Sequence, residues 1–451
     1  MAMDLGSGRV IQQLNGARRL TPASVSKLYV AAAALEKWGP DHRFTTRLLS
    51  NGKIRDGILH GDLIFLGAGD PSLEDRDLWS LVMQLRARGV RQVAGLLEIN
   101  QSLFGTVECG TEDRCEAQTA TRHAYDAPLS AAGINFATWC VEVRPAEQNG
   151  ASASMGWCRV PAPSVTLGGQ VITSAEASNA RISVGRQTKG GRDRLDVSGR
   201  IPLGGEPVQV YRAVSDAAGQ TAEILQELLR DAGITVAGSS SVSDRPPGPG
   251  ASTLAAVEGQ SLREQLARMM AYSNNYMADM LALDLIAYGE PASAVSLNAA
   301  GEGLQRFAEA AGRRMSHQIE VGDGAPRLGS GSGLTVESAL SAADITALLA
   351  DLYHRTDLFP TFLGALSVPR YSPLRSLRNG DGVWLSRLSV KTGSLNDPRS
   401  VMALAGYFRT DRGGWGAFAI IVNGSERRPH IPRAEALAAM REDVSLLLQP
   451  R

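Results

Sequence analysis

A chain of 451 residues exceeds what one hydrophobic core holds, since such cores stop growing at roughly 250 to 300 residues, so two or more domains are expected. Hydrophobic residues make up 43% and charged residues 20%, with 46 basic side chains against 46 acidic ones; this describes a soluble globular chain and excludes the basic excess of a nucleic-acid binder. No run approaches the ~20 consecutive apolar residues that cross a bilayer, so no transmembrane segment is expected. The opening residues Met1 to Gly8 lack the regions of a signal peptide, which leaves either a cytosolic chain or one whose leader is absent from this sequence.

In chain order, Gly6 to Asn15 alternates like a strand and turns at Asn15-Gly16. Pro22-Ala23-Ser24 then leads into a predicted helix over Val25 to Trp38, ended by Gly39-Pro40. From Gly61 to about Asp244 the chain reads as β-rich, with short apolar runs such as Leu63 to Leu66 punctuated by Gly, Ser and Asn. Arg245-Pro-Pro-Gly-Pro-Gly-Ala251 reads as a linker or domain edge. Ser261 and Glu264 form a capping box for a helix over Leu262 to Tyr272, and a second helix follows over Tyr276 to Ala287. Three strands are predicted over Trp384–Val390, Val401–Phe408 and Trp415–Val422, joined through Asn396-Asp-Pro398 and the turn at 411–414 into an antiparallel meander. A helix over Ala434 to Leu448 ends the chain.

The four cysteines, Cys109, Cys115, Cys140 and Cys158, fall in one stretch. An even, clustered set favours two local disulfides and an oxidising compartment. Buried free thiols and a four-thiolate zinc site stay open as alternatives, though the spacings lack the short knuckles of most such zinc sites. The spacing does not settle which cysteine pairs with which. The six histidines are scattered without a His-x3-His pair, so neither a metal nor a cofactor is expected.

The chain has five lysines, Lys27, Lys37, Lys53, Lys189 and Lys391, and two of them stand in motifs. Ser24-Val-Ser-Lys27 opens the first helix, where positions i and i+3 share a face and the amine can reach the hydroxyl. The helix N-terminus favours a developing negative charge there. A lysine acts as a base only when burial or a neighbouring cation lowers its pKa, and Lys391 is a candidate for that cation. Ser273-Asn-Asn275 falls between two predicted helices. There the Ser273 hydroxyl can relay a proton and the Asn275 amide can hold a carbonyl. Lys391-Thr-Gly-Ser394 ends a predicted strand; Gly393 permits close approach, and Lys391, Thr392 and Ser394 can bind a carboxylate. Taken singly, each motif is usually a helix cap, a polar turn or a strand end. Their joint occurrence, in order and on a helix, a loop and a strand, is what carries the argument.

The ordered set Ser-x-x-Lys, Ser-x-Asn and Lys-Thr-Gly resembles the signature of penicillin-binding proteins and class A β-lactamases. Arg19-Leu-Thr-Pro-Ala-Ser24, Gly61-Asp-Leu-Ile-Phe-Leu-Gly-Ala-Gly-Asp-Pro71, Tyr125-Asp-Ala-Pro-Leu-Ser-Ala131 and Gly331-Ser-Gly-Leu334 extend the resemblance over nearly the whole chain. Together they are similar to the class C low-molecular-mass penicillin-binding proteins, the D-alanyl-D-alanine carboxypeptidase/endopeptidase group. Lys27 and Ser273 stand more than half the chain apart, as the long insertion of that group implies and a class A β-lactamase does not. One departure is Ser330, where the group usually has aspartate.

The resemblance implies an α/β (α+β) fold: a penicillin-binding transpeptidase domain, with an antiparallel sheet flanked by helices, interrupted by inserted β-rich domains. The expected division assigns residues 1–60 and 245–451 to the catalytic domain, 61–97 and 163–244 to one inserted domain, and 98–162 to a cysteine-containing one. It further implies Ser24 as nucleophile, Lys27 as its base, Ser273 as proton relay, Asn275 as peptide holder, and Lys391, Thr392, Gly393 and Ser394 as the substrate strand. The backbone N–H groups of Ser24 and Ser394 would form the oxyanion hole. Peptidoglycan peptides and β-lactams are the expected partners, in the periplasm or otherwise outside the cytoplasm; contact with a membrane would be peripheral. The rival expectations are a β-lactamase and a non-catalytic peptidoglycan-binding module.

Overall fold

The computed structural model describes residues 1–288, 295–320, 324–411 and 413–449, and it divides the chain into two compact units. The first joins Met1–His42 to Ser261–Arg451, and the second is Arg43–Gln260. The sequence reading places the edges of the first domain at 60 and 245. In the structure, Thr45–Ser50 pairs antiparallel with Ser252–Glu258, so both strands belong to the second unit.

The first unit is built on a five-stranded antiparallel sheet in the order Leu388–Leu395, Val401–Arg409, Trp415–Asn423, Ala2–Asp4, Val10–Gln12. Alternation along each strand gives the sheet two apolar faces. On one face Val390, Met402, Leu404, Phe408 and Phe418 pack with Met440 and Val444 of the C-terminal helix Arg433–Leu447. On the other, the Tyr407 hydroxyl donates to the carbonyl of Leu349 (2.8 Å) in the helix Ala342–Tyr353. Complete burial of side chains as large as Phe418 and Tyr407 stabilises this sandwich by about 2 to 3 kcal/mol each.

Three further helices of the unit position the motifs. In Lys27–Trp38 a run of alanines lets neighbouring elements approach closely, every side chain from Lys27 to Leu35 is buried, and Gly39, at φ 76°, ends the helix by donating to the Leu35 carbonyl. Leu262–Tyr272 begins at the expected Ser261/Glu264 capping box. Asn275–Ala287 is buried without interruption from Tyr276 to Asp284, which makes it a central rather than a surface helix.

Two expectations need correcting. The predicted strand Trp384–Val390 is a short helix over Gly382–Arg387, started by Asp381, whose carboxylate accepts from the Trp384 N–H (2.8 Å). The strand itself covers Leu388–Leu395, so Lys391 to Ser394 lie within the ladder instead of ending it. The expected strand over Gly6–Asn15 is confined to Val10–Gln12. At the predicted turn 411–414, residue 412 lies outside the described residues.

The second unit carries four small sheets, with Thr138–Arg144 central to one and Arg192–Pro202 to another. It also holds two long helices that a β-rich reading does not anticipate, Asp75–Ala87 and Ala217–Asp231, and a short one over Glu112–Glu116. Leu78, Leu81, Val82 and Leu85 give the first of these a buried stripe at helical spacing. The cysteines form two disulfides, Cys109–Cys115 and Cys140–Cys158. The second closes a pair of antiparallel strands, next to the Val141–Trp157 register pair. Peptide mapping without reduction should recover these two linkages and no crossed pair. Replacing Cys140 and Cys158 together by serine should lower the unfolding free energy by about 3 kcal/mol, as measured by denaturant titration.

Candidate active site

All three motifs lie in the first unit, and the fold brings them together. Ser24 sits in a 3-10 turn, Ala23–Ser26, that runs directly into the helix Lys27–Trp38. Ala23 holds a positive φ of 48°, which costs a non-glycine residue roughly 1 kcal/mol and is retained only where packing imposes it. The packing partner is Gly333, at φ 72°: a Cβ there would lie 2.1 Å from the Ala23 carbonyl oxygen. The Gly331-Ser-Gly-Leu334 loop is therefore pressed against the nucleophile turn, and the Ser26 hydroxyl donates to the Gly331 carbonyl (3.2 Å).

Lys27 has no solvent exposure. Three oxygens surround its Nζ: Ser24 Oγ at 2.8 Å, Asn275 Oδ1 at 2.8 Å and the Ser332 carbonyl at 2.5 Å. An ammonium can donate to all three. A neutral amine keeps two N–H bonds; with Asn275 and Ser332 accepting those, its lone pair is left facing the Ser24 hydroxyl.

The helix Leu262–Tyr272 ends at Ser273, whose left-handed conformation (φ 53°) breaks the chain before Asn274 caps the next helix by accepting from the Met277 N–H (3.0 Å). This break puts two side chains of one tripeptide on different lysines. Asn275 meets Lys27, and the Ser273 hydroxyl accepts from Lys391 Nζ at 2.8 Å.

Successive residues on Leu388–Leu395 face opposite ways. Val390 joins the core under the C-terminal helix, while Lys391 and Gly393 face the nucleophile. A Cβ on Gly393 would lie 2.6 Å from the Pro22 carbonyl and 3.2 Å from the Ser24 nitrogen, so this strand approaches the turn as only glycine allows. Lys391 is 1% exposed, and burial pushes its amine down to about 7. Ser24, Ser273, Thr392, Gly393 and Ser394 line one cavity of about 230 Å³, which continues past Leu377, Met402 and Met440. A larger cleft of about 1090 Å³ runs past Gln12, Arg18, Arg399 and Asn423 but holds none of the motif residues, so size does not mark the site.

Sequence reasoning missed two members of this cluster. Asp279, fully buried one turn beyond Asn275, accepts from the Ser332 N–H at 2.7 Å. Ser332 enters through its carbonyl oxygen and not its side chain. The i, i+4 relation of Asn275 and Asp279 is visible in the sequence; the link to Ser332 is not. Ser330, the departure from the usual aspartate, is also accounted for, because its buried hydroxyl accepts from the Gly333 N–H (3.3 Å) and closes the loop.

A chain with five lysines allows the Lys391 titration to be observed directly. With ¹³C- and ¹⁵N-labelled lysine, one side-chain NMR signal should move with a midpoint about 7, and it should be missing from Lys391→Met. A Lys391 signal that titrates only near 10 would contradict burial as the controlling effect.

Comparison with known proteins bears on the chain as a whole. The chain is 27% identical over 440 residues to D-alanyl-D-alanine carboxypeptidase DacB of Haemophilus influenzae, covering 94% of this chain and 85% of that one. It is 28% identical over 456 residues to the D-alanyl-D-alanine carboxypeptidase of Actinomadura sp. (strain R39), covering 97% and 80%. The solved structure of penicillin binding protein 4 from Haemophilus influenzae, complexed with a β-lactam, superposes with a TM-score of 0.72 at 25% identity, covering 99% of this chain and 95% of that one. The family model for the D-Ala-D-Ala carboxypeptidase 3 (S13) family matches residues 1–443, and the chain belongs to that family.

Proposed function

We propose that this protein is a serine D-alanyl-D-alanine carboxypeptidase and endopeptidase that acts on peptidoglycan stem peptides and cross-links through an acyl-enzyme on Ser24. The observation that carries the proposal is the buried Lys27 amine, 2.8 Å from Ser24 Oγ, in a chain of the S13 family. Ser24 Oγ attacks the carbonyl carbon between the two D-alanines while its proton passes to Lys27 Nζ. The backbone N–H groups of Ser24 and Ser394 receive the oxyanion. When the C–N bond breaks, Ser273 delivers a proton to the leaving amine and is resupplied through Lys391, which lies at hydrogen-bond distance. Water then attacks the ester: its proton passes through Ser273 to Lys391, Lys27 Nζ returns its own proton to Ser24 Oγ as the ester bond breaks, and the shortened peptide leaves as a carboxylic acid with all three groups restored.

Asn275 orients the peptide, and Lys391, Thr392 and Ser394 receive the terminal carboxylate beside Gly393. A β-lactam offers a strained amide and a carboxylate in the same arrangement, in keeping with the β-lactam complex of the Haemophilus influenzae protein. Peptidoglycan as substrate and two disulfides both favour a location outside the cytoplasm. Among the described residues no helix is long and apolar enough to cross a membrane. The division of the insertion into 61–97 with 163–244 and a separate 98–162 domain is part of the proposal; both disulfides fall in the latter range, while its strand Thr138–Arg144 pairs with Val208–Ala213 of the former.

Intact-mass spectrometry after incubation with benzylpenicillin tests the assignment. A persistent single adduct is expected on the wild type and none on Ser24→Ala. Intact drug without adduct would favour a non-catalytic module, and hydrolysed drug without adduct a β-lactamase. Ser24→Ala should also lower D-alanine release from a pentapeptide ending in D-Ala-D-Ala on the order of 10³-fold or more.

A further inference from the structure

The Asp279–Ser332 contact has no part in the motif chemistry, yet it ends at the Lys27 amine. Asp279 projects from the buried helix Asn275–Ala287, on the same face as Asn275 and one turn later. Its Oδ1 accepts from the Ser332 N–H (2.7 Å), and the carbonyl of that same residue accepts from Lys27 Nζ (2.5 Å). One residue thus faces a carboxylate with its N–H and a lysine amine with its carbonyl, inside a loop whose backbone packs closely against two other pieces of chain. On one side Gly333 abuts the Ala23 carbonyl, and on the other a Cβ at Gly331 would lie 2.5 Å from the Ala278 carbonyl. Helix Asn275–Ala287 therefore reaches Lys27 twice, directly through Asn275 and indirectly through Asp279 and Ser332.

We propose that Asp279 is a positioning residue for acylation: it holds the Ser332 carbonyl against Lys27, so that the neutral amine keeps its lone pair directed at Ser24. Charge strengthens both ends of the link, since a carboxylate is the stronger acceptor for a backbone N–H and a peptide so polarised is the stronger acceptor for the lysine. Losing the contact does not remove Lys27. It frees the amine to rotate away from Ser24, so the expected loss falls on the rate of bond formation and not on ligand binding. The inference rests on Ser24 as nucleophile and Lys27 as base.

The test is stopped-flow acylation by benzylpenicillin, resolving the affinity of the pre-acylation complex from the first-order acylation rate constant. Asp279→Ala should reduce the rate constant on the order of 10- to 100-fold, and Asp279→Asn, which keeps a neutral acceptor oxygen, by about 5-fold, with the affinity of both within about 3-fold of wild type. A wild-type rate constant in either folded variant, or a loss confined to affinity, would overturn the proposal. If Asp279→Ala does not fold, the nearly isosteric Asp279→Asn decides by the same criteria. Failure of the wild type itself to acylate would instead overturn the assignment of Ser24, so the two ideas fail separately.

Discussion

A lysine amine shut away from water needs an oxygen for each N–H it retains, and the active-site half of this protein is arranged around satisfying that need for Lys27. Its acceptors come from three separate pieces of chain: the nucleophile turn, the helix Asn275–Ala287 and the Gly331–Leu334 loop. Each piece is positioned by a constraint of its own. Ala23 adopts a strained conformation, Ser273 breaks two helices in a left-handed turn, and Gly333 fits where no side chain could. With these in place, Ser24 stands next to a base shut away from solvent, while its own side opens onto the cavity.

The second lysine meets a different environment. Lys391 is held by the Ser273 hydroxyl and the Thr392 carbonyl, and burial lowers its amine to about 7. Near neutral pH it is therefore poised between charged and neutral forms, as a group that passes a proton to a leaving amine through Ser273 should be. Below that pH it is the cation suited to a terminal carboxylate. The antiparallel sheet supplies the geometry: alternation along Leu388–Leu395 sends Val390 into the core and Lys391 and Gly393 toward Ser24.

Much of this was legible in the sequence because the signals are local. Ser24 and Lys27 share a helical face at i, i+3; Ser261 and Glu264 cap their helix as their spacing predicts; and the second and third strands of the meander lie close to their apolar runs. What escaped was tertiary or misjudged in period. Ala2–Asp4 is too short to show a pattern and is a strand because Trp415–Asn423 pairs with it. Trp384 sits in an apolar run, but Asp381 ahead of it starts a helix. The stripe from Leu78 to Leu85 was a readable helix signal, obscured by the β character of its surroundings. Asp279 could be seen to share a face with Asn275, but its partner is a backbone N–H 53 positions away, which no local pattern can indicate.

The account depends above all on Lys27 acting as the base, and the direct measurement is D-alanine release from a pentapeptide ending in D-Ala-D-Ala, by wild type and Lys27→Ala, from pH 6 to pH 9. The account predicts that the variant folds and loses turnover on the order of 10³-fold or more at every pH, because no other amine lies within reach of Ser24 Oγ among the described contacts. Turnover by Lys27→Ala within tenfold of wild type near neutral pH would contradict it and assign the proton to another group.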